Sequence, residues 1–220
     1  MSITKNQTQI KSELPAHVTL VAVSKTKPVA DLMEAYNAGQ RIFGENKIQE
    51  MTEKWEQMPK DIEWHMIGHV QTNKVKFMAE YVSLIHGVDS LKLLQEINKQ
   101  AKKHNRIIDC LLQIHIAEEE TKFGLNEEEL NHILTSDDFK SLENIKIVGL
   151  MGMATFTENQ NQIEKEFNHL KSIFDNYKKL NTKHCQLNTL SMGMSGDYQL
   201  AISCGSTMVR IGSSIFGTRN

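Results

Sequence analysis

Short apolar, β-branched runs alternate along the whole chain with longer stretches that carry apolar residues every three or four positions. Residues 18–23 read as a first strand, followed by Lys25 and then Pro28, which suits the first turn of a helix because its missing N–H costs nothing there. That helix carries Leu32, Met33 and Tyr36 on one face and stops near Gly39. Residues 41–44 predict a second strand, and the helix after it spaces Ile48, Met51, Trp55 and Met58 on one side. A third strand is expected at 63–67, a helix at 71–80 and a fourth strand at 81–86. A helix from about Ser90 aligns Leu91, Leu94 and Ala101. The longest apolar run, 107–116, reads as a strand buried on both faces. Asn126 and Glu129 have the spacing of a capping box ahead of Leu130, Ile133 and Leu134. Residues 145–150 predict a sixth strand, and a long helix from about Glu158 aligns Ile163, Phe167, Leu170 and Phe174. Residues 187–190 and 208–211 complete eight strands.

Eight β/α units with no low-complexity linker predict a single closed (β/α)8 barrel over residues 1–220, with an open doubly wound sheet as the competing arrangement. The composition, 40% hydrophobic and 24% charged over 220 residues, suits one such domain. The formal net charge of -2 gives no electrostatic reason to expect nucleic acid or an anionic membrane as a partner. Three cysteines without CxxC spacing argue against a disulfide framework and for a reducing compartment. The polar N-terminal stretch has no apolar h-region, and no apolar run approaches the roughly 20 residues of a membrane span. A cytoplasmic protein is expected.

In parallel barrels chemistry gathers where the strands end. Here the strand ends carry Lys25, then Gly44-Glu45-Asn46, Gly68-His69, Met151-Gly152-Met153, Ser191-Met192-Gly193-Met194-Ser195 and Gly212-Ser213-Ser214. Val21, Val23 and Lys25 share one strand face, so Lys25 points into the barrel mouth if the valines point inward. Partial desolvation there enlarges the neutral, nucleophilic fraction of a lysine, as carbonyl chemistry through a Schiff base requires. Lys27 shares that direction and stays open as an alternative. Gly212, Ser213 and Ser214 offer backbone and hydroxyl donors for a phosphate at a helix start, with Ser191 and Ser195 adding more from the neighbouring strand. A serine-capped helix without a ligand is the competing reading. Arg210 shares the inward face with Gly212 and, if buried, needs an anion or acceptor, either a ligand or a barrel carboxylate. His65 and His69 straddle a strand end, so their spacing does not make a metal site, and none is expected. Met151, Met153, Met192 and Met194 read as packing around a flat ligand or the core.

The segments Ala22-Val23-Ser24-Lys25-Thr26-Lys27-Pro28, Phe43-Gly44-Glu45-Asn46, Trp64-His65-Met66-Ile67-Gly68, Gln71-Thr72-Asn73-Lys74, Gly149-Leu150-Met151, the 190–195 stretch and the 205–212 stretch resemble, in order, those of the YggS/PROSC family of pyridoxal phosphate homeostasis proteins. The resemblance covers essentially the whole chain. It implies a fold of PLP type III, like the N-terminal barrel domain of alanine racemase, with pyridoxal 5′-phosphate held as a Schiff base on Lys25 rather than Lys27. It also implies Arg210 beside the pyridine nitrogen, Ser191, Gly212 and Ser213 near the phosphate, and Asn46 and Met194 close to the ring. The expected function is that of a non-catalytic carrier that keeps free vitamin B6 cofactor in balance. Apo forms of PLP-dependent enzymes are the expected partners, and the expected state is a monomer or weak dimer. The chain ends soon after the eighth strand, so no second domain is expected to supply an opposing base. An amino-acid racemase on the same cofactor, and a cofactor-free Schiff-base aldolase, are the rival functions.

Overall fold

Residues 2–119 and 121–218 are described by the computed structural model. Six strands come first: β1 (Thr19–Val23), β2 (Ile42–Glu45), β3 (Glu63–Met66), β4 (Val82–Val88), β5 (Ile108–Gln113) and β6 (Ile145–Met151). The short β7 (Asn181–Thr182) then folds back antiparallel on β8 (Cys185–Met194), and β9 (Met208–Ile211) is last. The order runs β6-β5-β4-β3-β2-β1-β9-β8, and β8 also pairs with β6, so eight parallel strands close into the expected barrel. Closure leaves these strands no edge to protect.

Around the barrel lie α1 (Ile3–Glu13), α2 (Val29–Asn37), α3 (Ile48–Gln57), α4 (Leu91–Lys103), α5 (Glu127–Thr135), α6 (Asp137–Lys140), α7 (Gln160–Tyr177), α8 (Tyr198–Ser203) and α9 (Ser213–Phe216). The capping box read from Asn126 and Glu129 is formed at α5. Two elements depart from the sequence pattern. The helix expected at 71–80 is a 3-10 helix, Thr72–Phe77, which buries only Val75 and has no side-chain cap. The helix α1 went unread because only Ile3 and Ile10 mark its buried face, with Gln7 between them. It packs on α2 and α9, and Asn6 donates to the Ile215 carbonyl.

Strand side chains alternate between two cores. The outward residues, Phe43, Trp64, Ile85 and Leu190 among them, pack under the helices. The inward residues Val21, Leu84, Leu111, Val148, Met151 and Met208 fill the barrel. Each large side chain so buried contributes about 1.5–3 kcal/mol. The run at 107–116 does not stay buried throughout, because Ile107 is exposed at the strand entrance.

The seam between β6 and β8 is irregular: Ile147 faces Cys185, but Gly149 faces Thr189, so two residues of one strand span four of the other. The displaced Thr189 carbonyl crowds the Gly149 backbone, and a Cβ there would lie 1.8 Å from its oxygen. Glycine is therefore required for the barrel to close. Gly149→Ala should destabilise the fold by about 3 kcal/mol, since backbone must move to admit the methyl group. Gly196→Ala, where a Cβ meets nothing within 4 Å, should be near neutral. Thermal unfolding of the two variants checks this, and equal melting temperatures would contradict it.

Candidate functional site

Where the strands end, a cavity of about 600 Å3 opens. Val23 and Lys25 line it after β1, while Val21 sits in the inner core below, so the period-two reading of this strand holds. Asn46, Met194, Arg210, Gly212 and Ser213 also line it. Met153 joins Met194 at the wall, whereas Met151 belongs to the inner core and Met192 to the outer one. Lys27 reaches the same cavity, with its ammonium donating to the Thr218 carbonyl at 3.1 Å.

Ser191 departs from the expected arrangement. It is fully buried and is not among the residues lining the cavity. The register shifts between Ser191 and Met194, so three residue steps of β8 oppose two of β9. The extra residue turns Met194 and Ser195 towards the cavity and leaves Ser191 beneath it. Ser195, rather than Ser191, meets the start of α9: its hydroxyl oxygen accepts from the Gly212 amide at 3.2 Å and the Ser214 amide at 3.4 Å.

Beneath the cavity runs a buried polar chain. Arg210, 4% exposed, donates through Nη1 to Ser191 Oγ at 2.6 Å and through Nη2 to the Gly152 carbonyl at 3.1 Å. A guanidinium only donates, so Ser191 Oγ accepts from Arg210, and the same oxygen lies in hydrogen-bond contact with His86 Nδ1 at 3.1 Å. His86 Nε2 and His65 Nδ1 share a hydrogen bond at 3.0 Å. Burial keeps both imidazoles neutral, lowering His65 to about 3 and His86 well below the usual histidine value, where His65 and Arg210 add to the effect. Burial also lowers Arg210 to about 10, opposed by Asp197, so the guanidinium stays charged near neutral pH. No carboxylate lies within ion-pair distance of Arg210 among the described residues. These two hydrogen bonds leave further N–H donors for the cavity it lines.

His69 parts company with His65: it stands at the rim, half exposed, 3.5 Å from Asp89 and edge-on to Phe123. Among the described residues no group of three His, Cys, Asp or Glu is disposed to hold a metal ion, and no helix is long and apolar enough to cross a membrane. His86, Ser195 and Asp197 are the site residues that strand-end reasoning passed over or left out of the candidate set. Asp197 lines the cavity and accepts from the Met194 amide at 2.6 Å. The spacing of Ser191 and Ser195 carried a signal for the latter. His86 lies mid-strand and carried none.

The profile of the alanine racemase N-terminal domain family matches residues 1–220. The pyridoxal phosphate homeostasis protein of Haemophilus influenzae is 39% identical over 206 residues, covering 92% of this chain and 86% of that protein. Its counterpart in Pasteurella multocida is 37% identical over 233 residues, covering 100% and 99%. Among solved structures, PipY of Synechococcus elongatus with PLP bound superposes with a TM-score of 0.88 at 32% identity, covering 98% of this chain and 100% of that one. An alanine racemase of Clostridium difficile shares the fold at 18% identity, with a TM-score of 0.79, over 99% of this chain and 56% of its own.

The buried histidines make the fold acid-sensitive. Their folded values lie below that of the unfolded chain, so the stability they carry is full above pH 6.5 and is lost as pH falls towards 3. Each contributes a slope of up to about 1.4 kcal/mol per pH unit in that window. His65→Gln should leave one such group and make the urea-unfolding midpoint fall less steeply between pH 6.5 and pH 4. An unchanged slope would show that His65 does not carry it.

Proposed function

This chain belongs to the alanine racemase N-terminal domain family and, within it, to the pyridoxal phosphate homeostasis proteins, and we propose on that premise that it holds pyridoxal 5′-phosphate (PLP) on Lys25 and balances the intracellular supply of the cofactor. One observation carries the reading: a buried guanidinium, free of carboxylate partners among the described residues, lines a cavity whose rim holds a lysine. The residues present fit the group. Val23, Ile67, Met153 and Met194 offer apolar walls to a flat ring, and Asn46 a polar one. Arg210 would meet the ring nitrogen. Gly212, Ser213 and Ser195 gather amide and hydroxyl donors for the phosphate at the start of α9. Lys25 would hold the aldehyde carbon as a Schiff base.

PLP, when bound, supplies a ring that can withdraw electrons from an attached carbon. Beside the ring nitrogen Arg210 would weaken that capacity, because a guanidinium yields no proton near neutral pH and would leave that nitrogen unprotonated. The arrangement supports a carrier over a racemase. Ser191, His86 and His65 hold Arg210 in its donor orientation from below. Apo forms of PLP-dependent enzymes are the proposed recipients, a monomer or weak dimer the proposed working form, and the cytoplasm the proposed location. The three free, buried cysteines agree with a reducing compartment.

Borohydride reduction of the PLP-loaded protein, followed by peptide mapping, should label Lys25. Lys25→Ala should abolish the label and Lys27→Ala should keep it; label on Lys27 in the Lys25→Ala protein would overturn the assignment. Charge-assisted hydrogen bonds contribute about 1.5–3 kcal/mol each, so pyridoxal, which lacks the phosphate, should bind at least about a hundredfold more weakly than PLP, a difference of about 2.8 kcal/mol. Ser213→Asp should weaken PLP binding in the same sense while leaving the fold intact. Equal affinity for the two aldehydes would mean that the phosphate is held elsewhere.

A further inference from the structure

Resting on the reading that Lys25 carries the cofactor, the geometry points to Glu50, backed by Lys54, as a positioning residue that holds the Lys25 turn in its binding-competent form. Residues 24–27 form a tight turn closed by the Lys27 amide donating to the Ser24 carbonyl at 3.1 Å. Thr26 sits at its third position with φ 64°, the left-handed region. A glycine adopts that conformation without penalty, but a β-branched side chain resists it. Something outside the turn must therefore hold it.

The holding groups lie on the outer side of the barrel wall. The Thr26 amide donates to Glu50 Oε1 at 2.6 Å. Lys54, 5% exposed, donates to the Ser24 carbonyl at 2.8 Å and to Glu45 Oε1 and Glu50 Oε1, each at 2.7 Å. All three ammonium protons are thus used. The Ser24 hydroxyl donates to Glu45 Oε1 at 2.6 Å. The backbone is pinned on both sides of Lys25, by Lys54 before it and Glu50 after it. Ser24, Thr26, Glu45, Glu50 and Lys54 are all absent from the cavity lining, so they act on a ligand through the backbone they hold, of which Lys25 is the residue bracketed on both sides. A buried ion pair returns little net stability once desolvation is counted. The geometry it imposes on the turn is its distinctive contribution.

The test compares two probes in the full-length protein. PLP needs the lysine to be aimed, whereas pyridoxine 5′-phosphate has an alcohol in place of the aldehyde and does not. Glu50→Ala removes the acceptor and should weaken PLP binding about tenfold, the worth of a left-handed non-glycine residue, with pyridoxine 5′-phosphate affinity unchanged. Glu50→Gln, which keeps a carbonyl acceptor, should be milder. Adding Thr26→Gly to Glu50→Ala should restore PLP binding, because glycine needs no anchor at that position. Unaltered PLP affinity in Glu50→Ala, equal losses for both probes, or no rescue by Thr26→Gly would overturn the proposal. Reduction of the wild-type protein tells this failure from that of the parent reading: label at Lys25 keeps the parent reading standing, and label elsewhere removes both.

Discussion

A guanidinium inside a barrel must give its protons to something, and the arrangement of this molecule follows from how Arg210 does so. It stands on β9 between apolar layers, with the inner core of Val21, Leu84 and Met208 below and the cavity above. Burying an unpaired cation is costly unless each donor finds an acceptor. Ser191 and the Gly152 carbonyl take two of its N–H groups. Ser191 in turn contacts His86, and His86 contacts His65, so the chain of polar contacts crosses the barrel to β4 and β3. Arg210 also lines the cavity, where an outside acceptor can enter.

Two polar networks divide the labour at this end of the barrel. The inner one, from Arg210 to His65, is neutral apart from its guanidinium and orients that group towards the cavity. The outer one, from Ser24 to Glu50 through Lys54, is charged and shapes the backbone that presents Lys25. They meet the ligand site from opposite ends of the ring it would hold. The inner one depends on barrel closure, because the β6–β8 seam brings Gly152 and Ser191 to the same guanidinium.

The barrel was legible in the sequence because most of its eight strands carry a run of apolar residues, and helical spacing fills the stretches between them. Period two was enough to put Val21, Val23 and Lys25 on one face, and to place Arg210 inward with Val21 opposite it in register. Ser191 was placed near the phosphate by its strand-end position and by the resemblance, and an extra residue in β8 before Met194 leaves it beneath the cavity instead. Parity cannot be read through a bulge that composition does not announce. His86 and His65 were illegible for another reason: they lie 21 residues apart in the chain and 105 residues separate His86 from Ser191. Only the closed barrel brings them together. The helix α1 was hidden by its polarity, since a single glutamine between two isoleucines makes up its buried face.

The central claim is that one cavity holds PLP between Lys25, Arg210 and the start of α9. A crystal structure of the protein grown with PLP tests it most directly. The expected result is continuous density from Lys25 Nζ to the cofactor, the ring nitrogen against Arg210, and the phosphate against the 212–214 amides and Ser195. A ring or phosphate bound away from these residues, or a cofactor joined to Lys27, would contradict it.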